Sequence, residues 1–176
     1  MKKRLVLISV LAAVCAFGQD ALPTPAGFHW EHVAEVKAAF LVPNGWHFKR
    51  EKNANTLAYF ATREDIEKTG HFDVGLTVNV MPHLESRDAS AYAQEFIAGF
   101  PKGKTLLKSW DASTPPFVGK GCLVRDEHST MHTLMVANPK TNTLYFFMFE
   151  APNQEWEMAW KSGEQMVKLI MLDDEI

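Results

Sequence analysis

The chain has 176 residues, of which 47% are hydrophobic and 22% are charged, with 18 basic residues against 21 acidic ones. This length allows one domain with a substantial core and is too short for two comfortable domains. The mildly acidic balance gives the protein no electrostatic reason to bind nucleic acid or anionic lipid, so we expect neither as a partner.

The first 18 residues have the pattern of a cleaved export signal. A basic start is followed by a short apolar run at residues 5–14, about half as long as a membrane-spanning helix. Ala16 and Gly18 then place small side chains at the two positions that signal peptidase inspects, which predicts a cut before Gln19. We therefore expect an exported protein, periplasmic or extracellular, with no transmembrane segment after cleavage.

Cys15 leaves a second kind of export signal open. Lipoprotein processing cuts before a cysteine that then carries a lipid, and it requires a small residue just ahead of that cysteine. Val14 stands at that position. We therefore favour a cysteine that is discarded with the signal peptide over a lipid anchor.

The mature chain predicts one domain. Removing residues 1–18 leaves 158 residues, with 15 basic against 21 acidic ones and hence a formal charge of −6. We predict an N-terminal extension at residues 19–34, with a possible edge strand at residues 28–33, and a single domain at residues 35–176. Cys122 is the only cysteine left, so packing must stabilise the fold without an intrachain disulfide.

Apolar runs separated by turn residues predict seven or eight strands, mostly antiparallel because the links between them are short. Pro43 and Gly45 predict a turn from which the second strand returns along the first. The last run is apolar at every position, which predicts a central strand covered on both faces. The candidate runs are residues 35–42, 46–50, 56–62, 74–80, 105–111, 117–126, 130–137 and 143–152.

Two amphipathic helices have apolar residues at a spacing of three and four. The first begins at a cap at Asp88 or Ser90 and runs to about Phe100, and the second occupies residues 156–172. With one helix packed on each side of the sheet, both faces of the apolar strand at residues 143–152 would be buried, which explains why it has no polar face. The expected fold class is therefore α+β, an α/β/α sandwich with a central, mostly antiparallel sheet of about six to eight strands flanked by two main helices.

Three stretches resemble PsbP-like domains. Residues 40–46, FLVPNGW, resemble their strand–proline–glycine–tryptophan entry, and residues 75–80, GLTVNV, resemble their central strand. Residues 145–152, YFFMFEAP, with Trp156 resemble their last strand where it enters the final helix. The resemblance covers residues 35–172, most of the mature chain. It implies the α/β/α sandwich of a superfamily that includes PsbP, a Ran-binding import factor, DcrB-like lipoproteins and Eag chaperones.

Members of that superfamily act mainly by binding protein partners, so the resemblance implies a non-catalytic protein-binding or assembly module. The export signal favours a cell-envelope protein of the DcrB-like kind over the nuclear members. No binding residue is carried over by the resemblance. From the sequence, the longest polar connection, residues 63–73, and an exposed sheet edge near Trp30 are the candidate contact surfaces.

Two close histidine pairs raise metal binding as an alternative function. On a strand, His29 and His32 would point to opposite faces. His128 in a predicted turn and His132 in the following strand could converge with Asp126. A zinc site usually has three or four ligands at firmer spacing. We therefore interpret these as surface histidines and assign no metal ligand, keeping a metal-binding periplasmic protein that uses His128 and His132 as the alternative.

The sequence shows no catalytic or cofactor-binding set. Cys122 lies in an apolar strand, which predicts a buried, unreactive thiol. Ser129 beside His128 lacks the Gly-x-Ser-x-Gly elbow of many hydrolases, so a hydrolase whose residues meet only in three dimensions is the least favoured alternative. Trp156 and Trp160 share the apolar stripe of the last helix and are interpreted as core residues, not as a ligand cage.

Overall fold

The structure, a computed structural model, describes residues 23–175, so the predicted signal peptide and its cleavage site lie outside the described residues. None of the helices in this part of the chain is long and apolar enough to cross a membrane. The helices are α1 Ile66–Thr69, α2 Ala89–Gly99 and α3 Trp156–Lys168, with a 3₁₀ turn at Ala34–Val36. The strands are β1 Phe28–Val33, β2 Ala38–Pro43, β3 His47–Asn53, β4 Thr56–Thr62, β5 Gly75–Met81, β6 Thr105–Asp111, β7 Val118–Arg125, β8 Ser129–Asn138, β9 Thr143–Pro152 and β10 Met171–Leu172.

Seven strands form one antiparallel sheet in the order β3-β4-β5-β9-β8-β7-β6. The apolar strand β9 is the fourth of the seven, so its predicted central position is confirmed. Successive side chains of a strand point to opposite faces. Tyr145, Phe147 and Phe149 accordingly enter one hydrophobic cluster, and Leu144 enters the cluster on the other face together with the half-buried Phe146.

The two main helices cover opposite faces of this sheet, which confirms the predicted α/β/α sandwich. Helix α2 starts at Asp88, whose side chain accepts a hydrogen bond from the backbone N–H of Ala91 at 2.7 Å. Its buried residues pack against β7 and β8 beside Cys122. Helix α3 packs against β9 so closely that a Cβ added at Gly163 would lie 2.7 Å from the Phe149 ring.

A small second sheet, β1-β2-β10, lies on the same side of the large sheet as α3. Phe40 of β2 packs on Tyr59 of β4, with ring centroids 5.5 Å apart. The prediction that the strand after Gly45 returns along the preceding strand is therefore wrong, because Pro43 and Gly45 lie in a turn that joins two different sheets. The physical reason is burial. Every residue of β2 is buried, so both faces of this strand must pack against other elements. Pairing with the edge strand β3 would not provide that packing.

The last helix ends earlier than its apolar stripe predicts. The final helical residue is Lys168, and Leu169 already has φ −111° and ψ 18°. Met171 and Leu172, predicted as helix, instead form β10 and pair with Ala38 and Ala39 of β2. An apolar residue satisfies a helix stripe and a strand face equally well, so the pattern alone could not locate this change. The alternating run at Phe28–Val33 does form a strand at the edge of the small sheet.

Candidate functional site

A half-open cleft of about 360 Å³, called the aromatic cleft below, lies between the end of the large sheet and helix α3. It exists because α3 covers β9 and leaves the same face of β7 and β6 open. The strands provide the floor and the helix provides one wall. The floor and wall are lined by Trp110, Leu123, His132, Trp156, Trp160 and Val167.

Four aromatic rings form a continuous row through the aromatic cleft. Trp156 stacks on Trp160 with centroids 5.2 Å apart, and Trp160 stacks on His132 at 4.5 Å. His132 in turn lies 4.8 Å from Trp110 on the edge strand β6. Each such pair contributes roughly 0.5–1.5 kcal/mol beyond its buried area. The row is thus held in place before any ligand arrives.

Trp110 occupies this position because its neighbour on β7 is a glycine. Trp110 pairs with Gly121, and a Cβ added at Gly121 would lie only 2.2 Å from the indole. The indole therefore lies directly across the β7 backbone, where any larger residue would displace it. A β-bulge between Leu106 and Lys108 shifts the register of β6. Beyond the bulge, Lys108 and Trp110 both line the aromatic cleft.

His132 is neutral at pH 7 in this environment. Burial lowers its pKa to about 4, nearby Lys108 adds to that effect, and Glu164 opposes it. Its Nδ1 atom is buried and has no hydrogen-bond partner among residues 23–175. The indoles of Trp110 and Trp160 both pack against the ring, with centroids 4.8 and 4.5 Å away. A weakly basic ring in this position is suited to a rigid binding surface more than to proton transfer near neutral pH.

The rim of the aromatic cleft carries charges of both signs. Glu164 forms an ion pair with Lys168 at 2.8 Å. The Asp111 carboxylate accepts hydrogen bonds from the hydroxyl and backbone N–H of Ser113, which hold its pKa below the usual range. The Lys108 ammonium lies 5.6 Å from the Trp110 ring centroid and forms no ion pair with any residue that the structure describes.

The structure does not bring His128, His132 and Asp126 together as a metal site. His128 is exposed in the β7–β8 turn, whereas His132 lies in the aromatic cleft. The Asp126 carboxylate forms an ion pair with Lys104 at 2.8 Å and accepts hydrogen bonds from the backbone N–H groups of His128 and Ser129. These contacts hold its pKa far below the usual range. Between residues 23 and 175, no group of three or more His, Cys, Asp or Glu side chains could hold a metal ion.

Two predictions about single side chains are confirmed and one is only half right. Cys122 is fully buried, and burial raises the pKa of its thiol to about 11, as expected for an unreactive cysteine. Trp156 is buried in the core, as predicted. Trp160 is only half-buried: it packs against the core and, like Trp156, lines the aromatic cleft.

The polar connection at residues 63–73 is exposed but held by several hydrogen bonds. Arg63 donates to Glu64 at 2.7 Å and to Glu155 at 2.6 Å. The Glu64 carboxylate accepts the backbone N–H groups of Asp73 and Val74, and these contacts lower its pKa in spite of partial burial. This loop therefore has a defined shape, and its role as a contact surface stays a prediction.

Comparison with solved structures shows which fold this is. The solution structure of cyanobacterial PsbP from Synechocystis sp. PCC 6803 matches with a TM-score of 0.52 at 14% identity, covering 90% of this chain and 98% of that chain. The Ran-binding protein Mog1p of Saccharomyces cerevisiae matches with a TM-score of 0.51 at 11% identity, covering 84% and 97%. Neither the protein-family models nor the curated proteins gave a match to the sequence. The chain thus has the PsbP/Mog1-like α/β/α fold that its sequence motifs resemble.

Proposed function

We propose that the protein is an exported, non-catalytic protein-binding module of the cell envelope, and that it binds its partner at the aromatic cleft. The aromatic cleft is the observation that carries the proposal. Tryptophan is among the residues enriched at the energetic centres of protein interfaces, because it buries a large area with few rotatable bonds. Here Trp110 and Trp160 are both half-buried in a fixed row at a surface opening.

The chemistry of the aromatic cleft supports binding over catalysis. Its lining contains no serine, threonine or cysteine that His132 could activate as a nucleophile. Both carboxylates of the cleft already have partners: Glu164 forms an ion pair with Lys168, and Asp111 accepts a hydrogen bond from Ser113. Mog1p, which has the same fold, is itself a Ran-binding protein. Export is supported by the sequence of residues 1–18 alone.

Affinity capture from an envelope extract of the source cell tests this function. The immobilised mature protein should recover a specific protein, and Trp160→Ala should reduce that recovery at least tenfold. Met158→Ala provides a matched control, because Met158 belongs to the same helix, is 72% exposed and does not line the aromatic cleft. Thermal melts verify that both variants are folded.

Two outcomes would count against the proposal. Recovery of no specific partner by the wild-type protein would contradict protein binding. Equal recovery by wild type and Trp160→Ala would contradict the aromatic cleft as the binding site. Cell fractionation, with N-terminal sequencing of the mature chain, tests export separately. We expect a chain that starts at Gln19 in the envelope or external fraction, and full-length protein in the cytoplasm would contradict export.

A further inference from the structure

We infer that the partner presents an extended segment that pairs with the outer edge of β6, places a large apolar side chain against the aromatic cleft, and carries an acidic residue two positions away that meets Lys108. The inference rests on the proposed protein-binding function and specifies the chemistry of the partner. Three independent observations carry it: an open strand edge, a cleft that begins at that edge, and a cation between them that forms no ion pair.

The first observation is that β6 ends the large sheet with its outer backbone edge open. Among the described residues, no strand pairs with the outer side of β6. The strand also exposes Leu106 and Leu107, at 48% and 45%, beside this edge. The bulge at Leu107 interrupts the regular register, so residues 108–111 form the segment available for pairing. An open edge of this kind is the usual acceptor for an added peptide strand.

The opposite edge of the sheet carries a denser run of charge than β6 does. Strand β3 has four consecutive charged residues in its middle, Lys49 to Lys52. Lys49 forms an ion pair with Glu51 at 2.7 Å, and Arg50 stacks over the Phe48 ring at 5.6 Å from its centroid. Charged side chains along an edge discourage pairing with another chain. Strand β6 has two charged residues, Lys108 and Asp111, and they are not consecutive.

The second observation is that the aromatic row ends at this same edge. Trp110 belongs to β6, and the row continues inward through His132 and Trp160. The cleft volume of about 360 Å³ is near the lower end of the roughly 300–1,000 Å³ of small-ligand sites. This space suits one or two large side chains. A strand added beside Trp110 would bring its own side chains to the mouth of the cleft.

The third observation gives the sequence pattern of the segment. Lys108 and Trp110 are two positions apart on one strand and line the same cleft. In an added strand, the residues opposite them are likewise two apart and share a face. The ammonium of Lys108 forms no ion pair among residues 23–175, so an acidic residue opposite it supplies the missing charge. The expected pattern is therefore an acidic residue and a large apolar residue two positions apart, in an order set by whether the segment runs parallel or antiparallel to β6.

Selection from a random peptide display library on the immobilised mature protein tests this inference. Wild-type protein should enrich peptides that carry the acidic and large apolar residues two positions apart. Lys108→Glu should change the acidic preference to a basic one and weaken binding of the wild-type peptides at least tenfold. Lys52→Glu is the matched control, because Lys52 is an exposed lysine on the opposite edge strand. It should leave both selection and affinity unchanged.

Backbone methylation distinguishes strand pairing from other binding modes. In a paired strand, alternate N–H groups point to the neighbour, so methylating one alternating set removes the inter-strand hydrogen bonds and methylating the other set does not. For the best selected peptide, we expect the two methylated forms to differ in Kd at least tenfold. Equal Kd values for the two forms would overturn strand pairing.

The other outcomes separate this inference from the proposed function. Peptides that bind equally well to Lys108→Glu would overturn the inference and leave protein binding intact. A library with no enriched peptide on wild-type protein would overturn it as well, whereas failure of affinity capture from the extract overturns the proposed function itself.

Discussion

The half-buried imidazole of His132 makes the stability of this protein depend on pH in a defined window. Burial lowers its pKa to about 4 in the folded protein, whereas an unperturbed histidine titrates near 6.5, at roughly the value of the unfolded chain. Because the folded pKa is the lower one, the unfolded chain binds more protons between these values. The free energy of unfolding therefore falls as the pH drops through this window.

The size of this effect follows from the difference in pKa. A difference of about 2.5 units corresponds to about 3 kcal/mol between pH 7 and the lower end of the window. The perturbation that isolates it is His132→Phe, which keeps a flat ring between Trp110 and Trp160 and removes both the titration and the buried Nδ1. Urea unfolding followed by tryptophan fluorescence, at several pH values from 7 to 4, measures the free energy of unfolding of both proteins.

Relative to His132→Phe, the wild-type protein should lose up to about 3 kcal/mol of stability over this range. Other groups, such as Glu150 with its raised pKa, titrate in both proteins and cancel in the comparison. Parallel pH dependence of the two proteins would contradict a lowered pKa for His132. So would an NMR titration that gives His132 a pKa near its ordinary value, because the ring would then be exposed to water.

Two glycine substitutions test the close contacts of Trp110 with β7 and of helix α3 with β9. Gly121→Ala should expel the Trp110 indole and cost about 1–3 kcal/mol, seen as lower stability in urea and a red shift in tryptophan fluorescence; unchanged fluorescence would contradict the contact. Gly163→Ala should destabilise by about 1–2 kcal/mol despite the helix propensity of alanine, because the new Cβ meets the Phe149 ring. Gly99→Ala serves as the control, because a Cβ added at Gly99 has no atom within 4 Å. If Gly99→Ala destabilised the protein as much as Gly163→Ala, the packing explanation would be contradicted.

Local patterns were sufficient to predict most elements of the fold and their layers. The run at Thr105–Asp111 was predicted with its observed bounds, and Asp88 was one of two predicted caps for α2. The unbroken apolar character of β9 predicted its central position, because only a strand covered on both faces needs apolar residues throughout. These properties depend on side chains within a few residues of each other, which a single sequence displays directly.

The pairing of β2 and the aromatic cleft could not be predicted in the same way. The turn at Gly45 is compatible with a hairpin and with a crossing between sheets, and only the tertiary burial of β2 decides between them. Trp110, His132 and Trp160 lie far apart in the sequence and meet through strand order and helix placement. One local signal was present, since Gly121 within an apolar strand indicates the close approach of another group.

The most direct test of the binding site is an NMR map of the protein with its captured partner or a selected peptide. We expect the indole resonances of Trp110 and Trp160 and the backbone amides of residues 108–111 to shift most on binding. Shifts confined to the loop at residues 63–73, or to the small-sheet edge near Trp30, would place recognition elsewhere and contradict the aromatic cleft as the site.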